Sequence, residues 1–373
     1  MQYNVIGQTG LQVSAIGLGG EHLLRASRET IVEVVHTAMD AGVNYMDLIW
    51  AHPWYRDNFA AALQGRRDQA VLVGHLGSAL KGTQYQRTRT ARVCEQYWND
   101  MLERLGTDYI DVVMLHNLNS IKDYEKLLRP KGVVELAQRL KREGQARAIG
   151  LSGHNIELFQ RVLQDGVVDL LMIPVSMASN AQPGRNQLLR DCAAQGISVV
   201  AMKAFAGGKL LRGRTVRFAR YQTGGKSFKK KVPAAITPVQ CLAYALAQPA
   251  VATAIPGVAN LAEMEAALDL LTATDEEKDF GQALADFQEY VEGECVYCNH
   301  CLPCPEEIDI AEVSRLLDVA GDQPSPAVRA EYEALPVKAS ACTACGACVK
   351  RCPFGVAVID RIQQAANLFE KED

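Results

Sequence analysis

Two cysteine runs hold eight of the chain's eleven cysteines: Cys295-x2-Cys298-x2-Cys301-x2-Cys304-Pro305 and Cys342-x2-Cys345-x2-Cys348-x3-Cys352-Pro353. Cysteines two residues apart wrap three thiolates around one face of a cubane, and a fourth ahead of a proline closes the site; that spacing indicates [4Fe–4S] ligation. In chains with two such clusters, the fourth cysteine of each run ligates the other cluster. The expected sets are therefore Cys295, Cys298 and Cys301 with Cys352, and Cys342, Cys345 and Cys348 with Cys304. Zinc is the competing reading. Structural zinc usually takes two separated Cys-x2-Cys pairs, whereas two runs of four ending in Cys-Pro favour clusters. One end of the chain is expected to carry two [4Fe–4S] clusters and to move electrons singly.

The scaffold for this chemistry shows in the hydrophobic periodicity. Short apolar, β-branched runs at 15–18, 43–47, 70–73, 110–115, 148–151, 169–173, 197–201 and 251–255 alternate with amphipathic helical stretches. Near-continuous apolar strands separated by helices predict a parallel sheet covered on its outer face. Eight βα units over about 250 residues fit a (β/α)8 TIM barrel. Before them, Gln8-Thr9-Gly10 between short apolar pieces predicts a hairpin capping the barrel bottom. A polar helix is expected over 275–292, leading into the cysteine-rich part. Between the two runs, Ile310, Val313, Leu316 and Leu317 have helical spacing. That insert argues for a helical ferredoxin-like domain. The expected domains are a barrel at 1–275 and a helical two-cluster domain at 276–373.

At 373 residues the chain is long enough for one large and one small domain, and its net charge of −4 gives no footprint for nucleic acid. No apolar run reaches the roughly 18 residues that span a bilayer. The first seven residues, Met1 to Gly7, lack the basic start and apolar core of a secretory signal. Cys94, Cys192 and Cys241 lie singly in helical patterns and are expected to be buried thiols. This usage fits a reducing cytoplasm, and the clusters suggest low oxygen.

In order, Ile16-Gly17-Leu18-Gly19-Gly20, Asn44-Tyr45-Met46-Asp47, Leu115-His116-Asn117, Gly150-Leu151-Ser152-Gly153-His154, Val199-Val200-Ala201-Met202-Lys203 and Ile255-Pro256-Gly257 resemble the successive strand ends of an aldo/keto reductase. With the cysteine runs, the whole chain resembles such a reductase carrying a C-terminal two-cluster domain. The resemblance implies NADPH-linked carbonyl reduction by an Asp, Tyr, Lys, His tetrad, in which Tyr protonates the carbonyl oxygen and Lys, paired with Asp, lowers the Tyr pKa. Asp47 and His116 match two members. Aligned without gaps through Asp47–Arg67, the Tyr position holds His52, and the Lys position holds His75. The nicotinamide site is thinned as well. Met172 stands near the place of the amide that holds the carboxamide. Ala259 and Ala267 replace the Arg and Asn that the resemblance would put on the adenosine end. Ser152 and the glycine-rich ends of strands seven and eight still suit a phosphate, but NADP(H) is expected to bind weakly or not at all.

Four of the seven histidines, His52, His75, His116 and His154, fall at the C-terminal ends of strands two to five, where barrel enzymes keep their sites. A single histidine near a strand end is more often a hydrogen-bonded rim residue, and His154 is as readily that as a ligand contact. Together the four admit three uses. They can do acid/base work, since imidazole titrates near neutral pH. They can ligate an additional transition metal, with Asp47 or Glu21 as carboxylate partner. Or they can hold an anionic or aromatic cofactor, with Trp50, Trp54 and Tyr55 as stacking surface. Acid/base work by Asp47, His52, His75 and His116 ranks first, with Ser152, His154, Lys203, Trp50 and Trp54 as cofactor contacts.

Between Lys209 and Lys231 lie nine Lys or Arg and no acid. This is either a solvated loop or, following strand seven, a feature overhanging the mouth. There it would suit an anionic small-molecule substrate or an acidic electron donor such as ferredoxin or flavodoxin. Taken together, these features point to an iron–sulfur oxidoreductase passing electrons between its clusters and a group at the barrel mouth. The alternatives are an NAD(P)H-linked carbonyl reductase and a non-catalytic electron-transfer or partner-binding subunit.

Overall fold

A computed structural model of the protein describes residues 1–180, 184–212, 215–219, 227–231, 236–280, 283, 295, 301–320, 323–352 and 355–370. The chain divides into two compact units. One comprises Met1–Ala206, Leu210–Gly213 and Pro233–Tyr290; the other comprises Gly207–Lys209, Arg214–Val232 and Val291–Asp373.

The first unit opens with the hairpin of β1 (Tyr3–Ile6) and β2 (Leu11–Ser14), paired antiparallel. Eight parallel strands follow: β3 (Leu18–Gly19), β4 (Tyr45–Leu48), β5 (Val71–Leu76), β8 (Val112–Leu118), β9 (Ala148–Gly153), β10 (Leu170–Pro174), β11 (Ser198–Met202) and β14 (Val251–Ile255). Each of the eight apolar runs read from the sequence forms one of them. Parallel bridges Ile16–Ala254 and Gly19–Gly257 close the ring. Closure needs glycine at 19, because a Cβ there would meet the Pro256 carbonyl oxygen at 2.8 Å. Ile6, Leu11 and Val13 of the hairpin join Tyr45, Val73, Met114, Met172 and Val200 in the barrel's packed interior. The strands are buried on both faces, interior and helix-covered, and so read as continuous apolar runs rather than alternating ones.

Helices cover the outside, with caps written in the sequence. Ser27 accepts from the Thr30 N–H at the start of α1 (Arg28–Asp40), and Asn155 caps Ile156–Asp165 from Leu158. Thr237 and Gln240 form a reciprocal capping box ahead of Pro238–Leu246. His52 precedes α2 (Pro53–Ala62), and α3 (Ala91–Leu105) stops at Gly106 in the left-handed conformation.

Two hairpins had no forecast. β6 (Ser78–Lys81) and β7 (Gln84–Arg87) pair antiparallel between β5 and α3, with Gly82 at φ +62° in the two-residue turn. The basic stretch, read as a loop, contains β12 (Thr215–Ala219) paired with β13 (Ser227–Lys231). Of the helix expected over 275–292, Asp275–Lys278 is helical and most of the rest lies outside the described residues.

In the second unit, helices Ile310–Ala320, Pro326–Glu333 and Val358–Phe369 pack Ile310, Val313, Leu316, Tyr332 and Ile362 into one core. The cysteines Cys295, Cys301, Cys304, Cys342 and Cys352 lie against that core. Cys298 lies outside the described residues. No helix among the described residues is long and apolar enough to cross a membrane.

Candidate functional site

At the C-terminal ends of β4, β5 and β8, three side chains form a hydrogen-bonded row that a fourth, from β7, completes. The Asp47 carboxylate accepts from His75 Nε2 at 2.6 Å. His75 Nδ1 and His116 Nδ1 stand 2.8 Å apart and share a hydrogen, their rings crossing edge to face. His116 Nε2 lies 2.6 Å from the hydroxyl of Tyr85. All four are nearly excluded from water, with Asp47 5% exposed, His75 6%, His116 2% and Tyr85 4%. Burial drives the Tyr85 hydroxyl well above the ordinary phenol range, opposed by Arg87, the Asn117 amide and Arg89. The Asn117 amide nitrogen is itself buried without a hydrogen-bond partner.

Three of these residues were read from the sequence; Tyr85 was not. It sits on β7, in the unforecast hairpin, and its only sequence signal is a large aromatic among polar neighbours after the Gly82 turn. Arg89, just beyond, steadies the far side by donating to the carbonyl oxygens of His116 and Asn117, both at 2.8 Å.

A second row holds the expected cofactor contacts. The Lys203 ammonium donates to His154 Nε2 at 3.1 Å, and His154 donates through its backbone N–H and Nδ1 to Asn119 Oδ1. Asn119 donates to Asn117 Oδ1 at 2.6 Å, and Ser152 Oγ accepts from the Asn117 N–H. Ser152, His154 and Lys203 therefore meet through two asparagines that sequence reasoning passed over. Lys203 (φ +59°) and Asn117 (φ +48°) both take the left-handed conformation, unusual for residues with a Cβ.

His52 stands outside both rows. Its Nε2 donates to the Thr83 carbonyl at 3.0 Å, holding the tip of the β6–β7 hairpin, and Nδ1 is buried without a partner. Its ring leans on Trp54 at 4.6 Å and Trp50 at 5.9 Å, and Trp50 packs edge-on against Tyr85. Trp50 is buried and Trp54 is exposed, each anchored by its indole N–H to a carbonyl of the segment after β3, Glu21 and Leu24 respectively. Burial holds His52 below the usual imidazole range, partly offset by the Thr83 carbonyl. The unfolded chain therefore takes up that proton first. The stability from a neutral His52 is complete above an unfolded pKa of about 6.5 and drains away as pH falls toward the lower folded value. Urea denaturation at pH 5 and 7.5 should show a smaller acid loss for His52→Leu than for the parent chain, and equal losses would refute it.

Glu21 completes the mouth. One carboxylate oxygen is buried without a hydrogen bond, and burial raises its pKa against the pull of His22 and Lys203, with Asp47 adding to the rise. Among the described residues, no three His, Cys, Asp or Glu side chains close on one metal-ion position. The histidines here are bonded to one another and to protein acceptors.

In the second unit, Cys304, Cys342, Cys345 and Cys348 line one concave site, with Ile308, Ile310, Ile359 and Ile362 as its apolar wall. A cubane needs thiolates spaced round a core larger than a single ion, in low-dielectric surroundings, and this donor set fits it. Burial raises the Cys348 thiol, and Cys342 and Cys345 raise it further, so the sulfurs feel one another's charge. Arg351, between Cys348 and Cys352, donates to the carbonyls of Cys301 and Pro303 and ties the two runs together.

Residues 15–283 match the aldo/keto reductase family, and residues 335–357 match the 4Fe-4S binding domain. The aldo-keto reductase YhdN of Bacillus subtilis is 30% identical over 167 residues, 42% of this chain and 48% of that protein. L-galactose dehydrogenase of Arabidopsis thaliana is 26% identical over 187 residues, 46% of this chain and 56% of that protein. The matches thus span about half the length of these relatives. Among solved structures, the aldo-keto reductase AKR11C1 of Bacillus halodurans, holo form, superposes with a TM-score of 0.63 at 22% identity, covering 78% of this chain and 98% of that one. That is a likeness of fold.

Proposed function

The chain belongs to the aldo/keto reductase family, and from that membership we propose that it is an iron–sulfur oxidoreductase reducing a small carbonyl compound at the barrel mouth. The observation that carries this reading is the cavity at which Cys304 joins Cys342, Cys345 and Cys348. A [4Fe–4S] cluster held there would supply electrons one at a time. A second cluster on Cys295, Cys298, Cys301 and Cys352 is part of the same proposal. Asp47, His75 and His116 handle protons, which electrons delivered singly do not bring with them. Ser152, His154 and Lys203 orient the bound molecule. A polyhydroxy carbonyl compound is the first substrate class to test: the Arabidopsis relative is named as a sugar dehydrogenase, and a reduction would act on the oxidised form of such a sugar. An acidic one-electron carrier is the proposed donor, supported by the nine basic residues of 209–231. A reducing cytoplasm suits such a pair.

NADPH is the family's customary reductant, and the residues here do not fit its adenosine 2′-phosphate. The Glu263 carboxylate accepts from the Ala259 N–H at 2.7 Å, so a negative charge stands where the resemblance places a phosphate-binding Arg. Losing one charged hydrogen bond removes roughly 1.5–3 kcal/mol, about tenfold or more in affinity. Calorimetry is expected to show NADPH binding no tighter than high micromolar. A low-micromolar dissociation constant with hydride transfer would restore the conventional reductase.

The function is tested on full-length, anaerobically purified protein carrying its clusters. Reduced methyl viologen is supplied with oxidised sugars, methylglyoxal and related carbonyls in turn. Substrate-dependent viologen oxidation is the expected result. Cluster-loaded protein that consumes viologen with none of them, or that works only with NADPH, overturns the reading.

A further inference from the structure

We infer that Asp47, His75, His116 and Tyr85 form a proton wire whose direction reverses when it takes up one proton, and that Tyr85 is the outer donor through which that proton reaches the substrate. The inference rests on the proposed function for the substrate's identity, but the wire itself stands on geometry.

The directions follow from the hydrogen-bonding inventory of the groups. A carboxylate only accepts, so His75 Nε2 carries a hydrogen toward Asp47. If His75 is neutral, its Nδ1 is bare and must accept from His116 Nδ1–H. His116 Nε2 is then bare in turn and accepts the Tyr85 hydroxyl hydrogen. Every bond points inward, toward Asp47. Add one proton to the pair of imidazoles. Whichever ring holds the charge, His116 Nε2 now carries a hydrogen and donates to the Tyr85 oxygen. The Tyr85 hydrogen is released from the row and is free to donate outward. No atom heavier than hydrogen has to move.

Discharge runs the sequence backward and balances. The Tyr85 O–H bond breaks as an O–H bond forms on the substrate oxygen, which has become basic through reduction. The His116 Nε2 hydrogen passes to the Tyr85 oxygen, and His116 Nδ1 retains or regains a hydrogen shared with His75. The row ends one proton poorer, with Tyr85 again a hydroxyl pointing at His116. No electron moves in this step; under the proposed function, a cluster held by the cysteine runs would supply the electrons. The Asn117 amide, buried beside Tyr85 and favouring its ionised form, is placed to steady negative charge on the phenol oxygen during transfer.

The charged and titratable groups around the row are spread over its neighbours. Arg87 on the same hairpin, Arg89 beyond it and Glu21 from the segment after β3 face Tyr85. Glu21 also feels Asp47, His75, Lys203 and His22. Tyr45 and Tyr55 feel Asp47 from within the barrel and from α2. Tyr85 enters on a hairpin that His52 clasps through Thr83 and that Trp50 walls off. The position that the family resemblance assigns to the tyrosine is thus used to hold a tyrosine arriving from elsewhere.

The test uses full-length protein labelled with 15N-histidine, with Tyr85→Phe beside it. At pH 8.5, long-range 1H–15N spectra should show His116 with hydrogen on Nδ1 only and His75 with hydrogen on Nε2 only. On acidification the pair should take up one proton, and His116 Nε2 should gain a hydrogen. In viologen-driven reduction, Tyr85→Phe should lower kcat about 100-fold or more and flatten its pH profile, while the His75–Asp47 signals persist. His116 carrying hydrogen on Nε2 at pH 8.5 overturns the wire. An active Tyr85→Phe within threefold of the parent overturns Tyr85 as donor. If the parent chain reduces no carbonyl at all, the functional reading fails, and the spectra still decide the wire.

Discussion

Replacing Cys304 with serine is expected to destroy the cluster built on Cys342, Cys345 and Cys348, while Cys352→Ser spares it. Cys304 comes from the other cysteine run, yet it lines the cavity with those three thiols, and Cys352, four residues after Cys348, does not. The turn after Cys348 carries Cys352 away, and Arg351 holds that turn against the Cys301–Pro303 backbone. A cubane needs four thiolates, so losing one costs the cluster or leaves it labile to oxygen. Two intact sites hold about eight iron and eight sulfide per chain. Each variant should lose about half, from different sites, and paramagnetic resonance of the reduced protein should show which signal disappears. If Cys352→Ser abolishes the Cys342–Cys348 cluster and Cys304→Ser leaves it, each run serves itself. Stoichiometric zinc with no visible absorption would defeat the cluster assignment altogether.

His75→Leu is expected both to destabilise the barrel and to cut its activity. The Asp47 and His75 side chains are 6% and 1% exposed and bonded at 2.6 Å. Removing the imidazole takes from the buried Asp47 carboxylate its bond to His75 and from His116 Nδ1 its bond to the same ring. Breaking one side of a buried pair costs about 3–5 kcal/mol. In a domain of this size each kcal/mol lowers the melting temperature by about 2–4 °C, so a fall of roughly 10 °C is expected. The double change Asp47→Leu with His75→Leu should recover part of it, because no lone charge remains buried. Activity should fall about 100-fold or more in both, since the proton route is cut. Calorimetry and viologen kinetics separate the two effects. A His75→Leu protein that melts with the parent would mean the pair contributes nothing to folding.

The barrel, its sealing hairpin and the helical pairing around the cysteines were legible because each follows from local pattern. Residues such as Val71–Val73 or Val112–Leu115 are apolar in succession because both faces of a parallel strand are covered. The convergence of Asp47, His75 and His116 was legible too, since parallel strands bring their C-terminal ends to one rim whatever the side chains do. Cysteine spacing carried the cluster chemistry for a similar reason: ligand geometry is set within a few residues.

Other features depended on contacts between distant segments, and periodicity holds no record of those. β6 and β7 are too short and too polar to stand out, so Tyr85 could not be placed against His116, 31 residues away. His52 and His75 looked equivalent in sequence. Only the fold sends one ring to the Thr83 carbonyl and the other between Asp47 and His116. Asn117 and Asn119 gained their meaning from Ser152 and His154 across the β8–β9 seam. The sequence by itself determined which chemistry the chain can do, because residue type and short spacing are local quantities. Which groups are joined into a path for protons was decided by tertiary structure, because a hydrogen bond needs its partners within about 3 Å, and only packing brings strand ends and a hairpin that close.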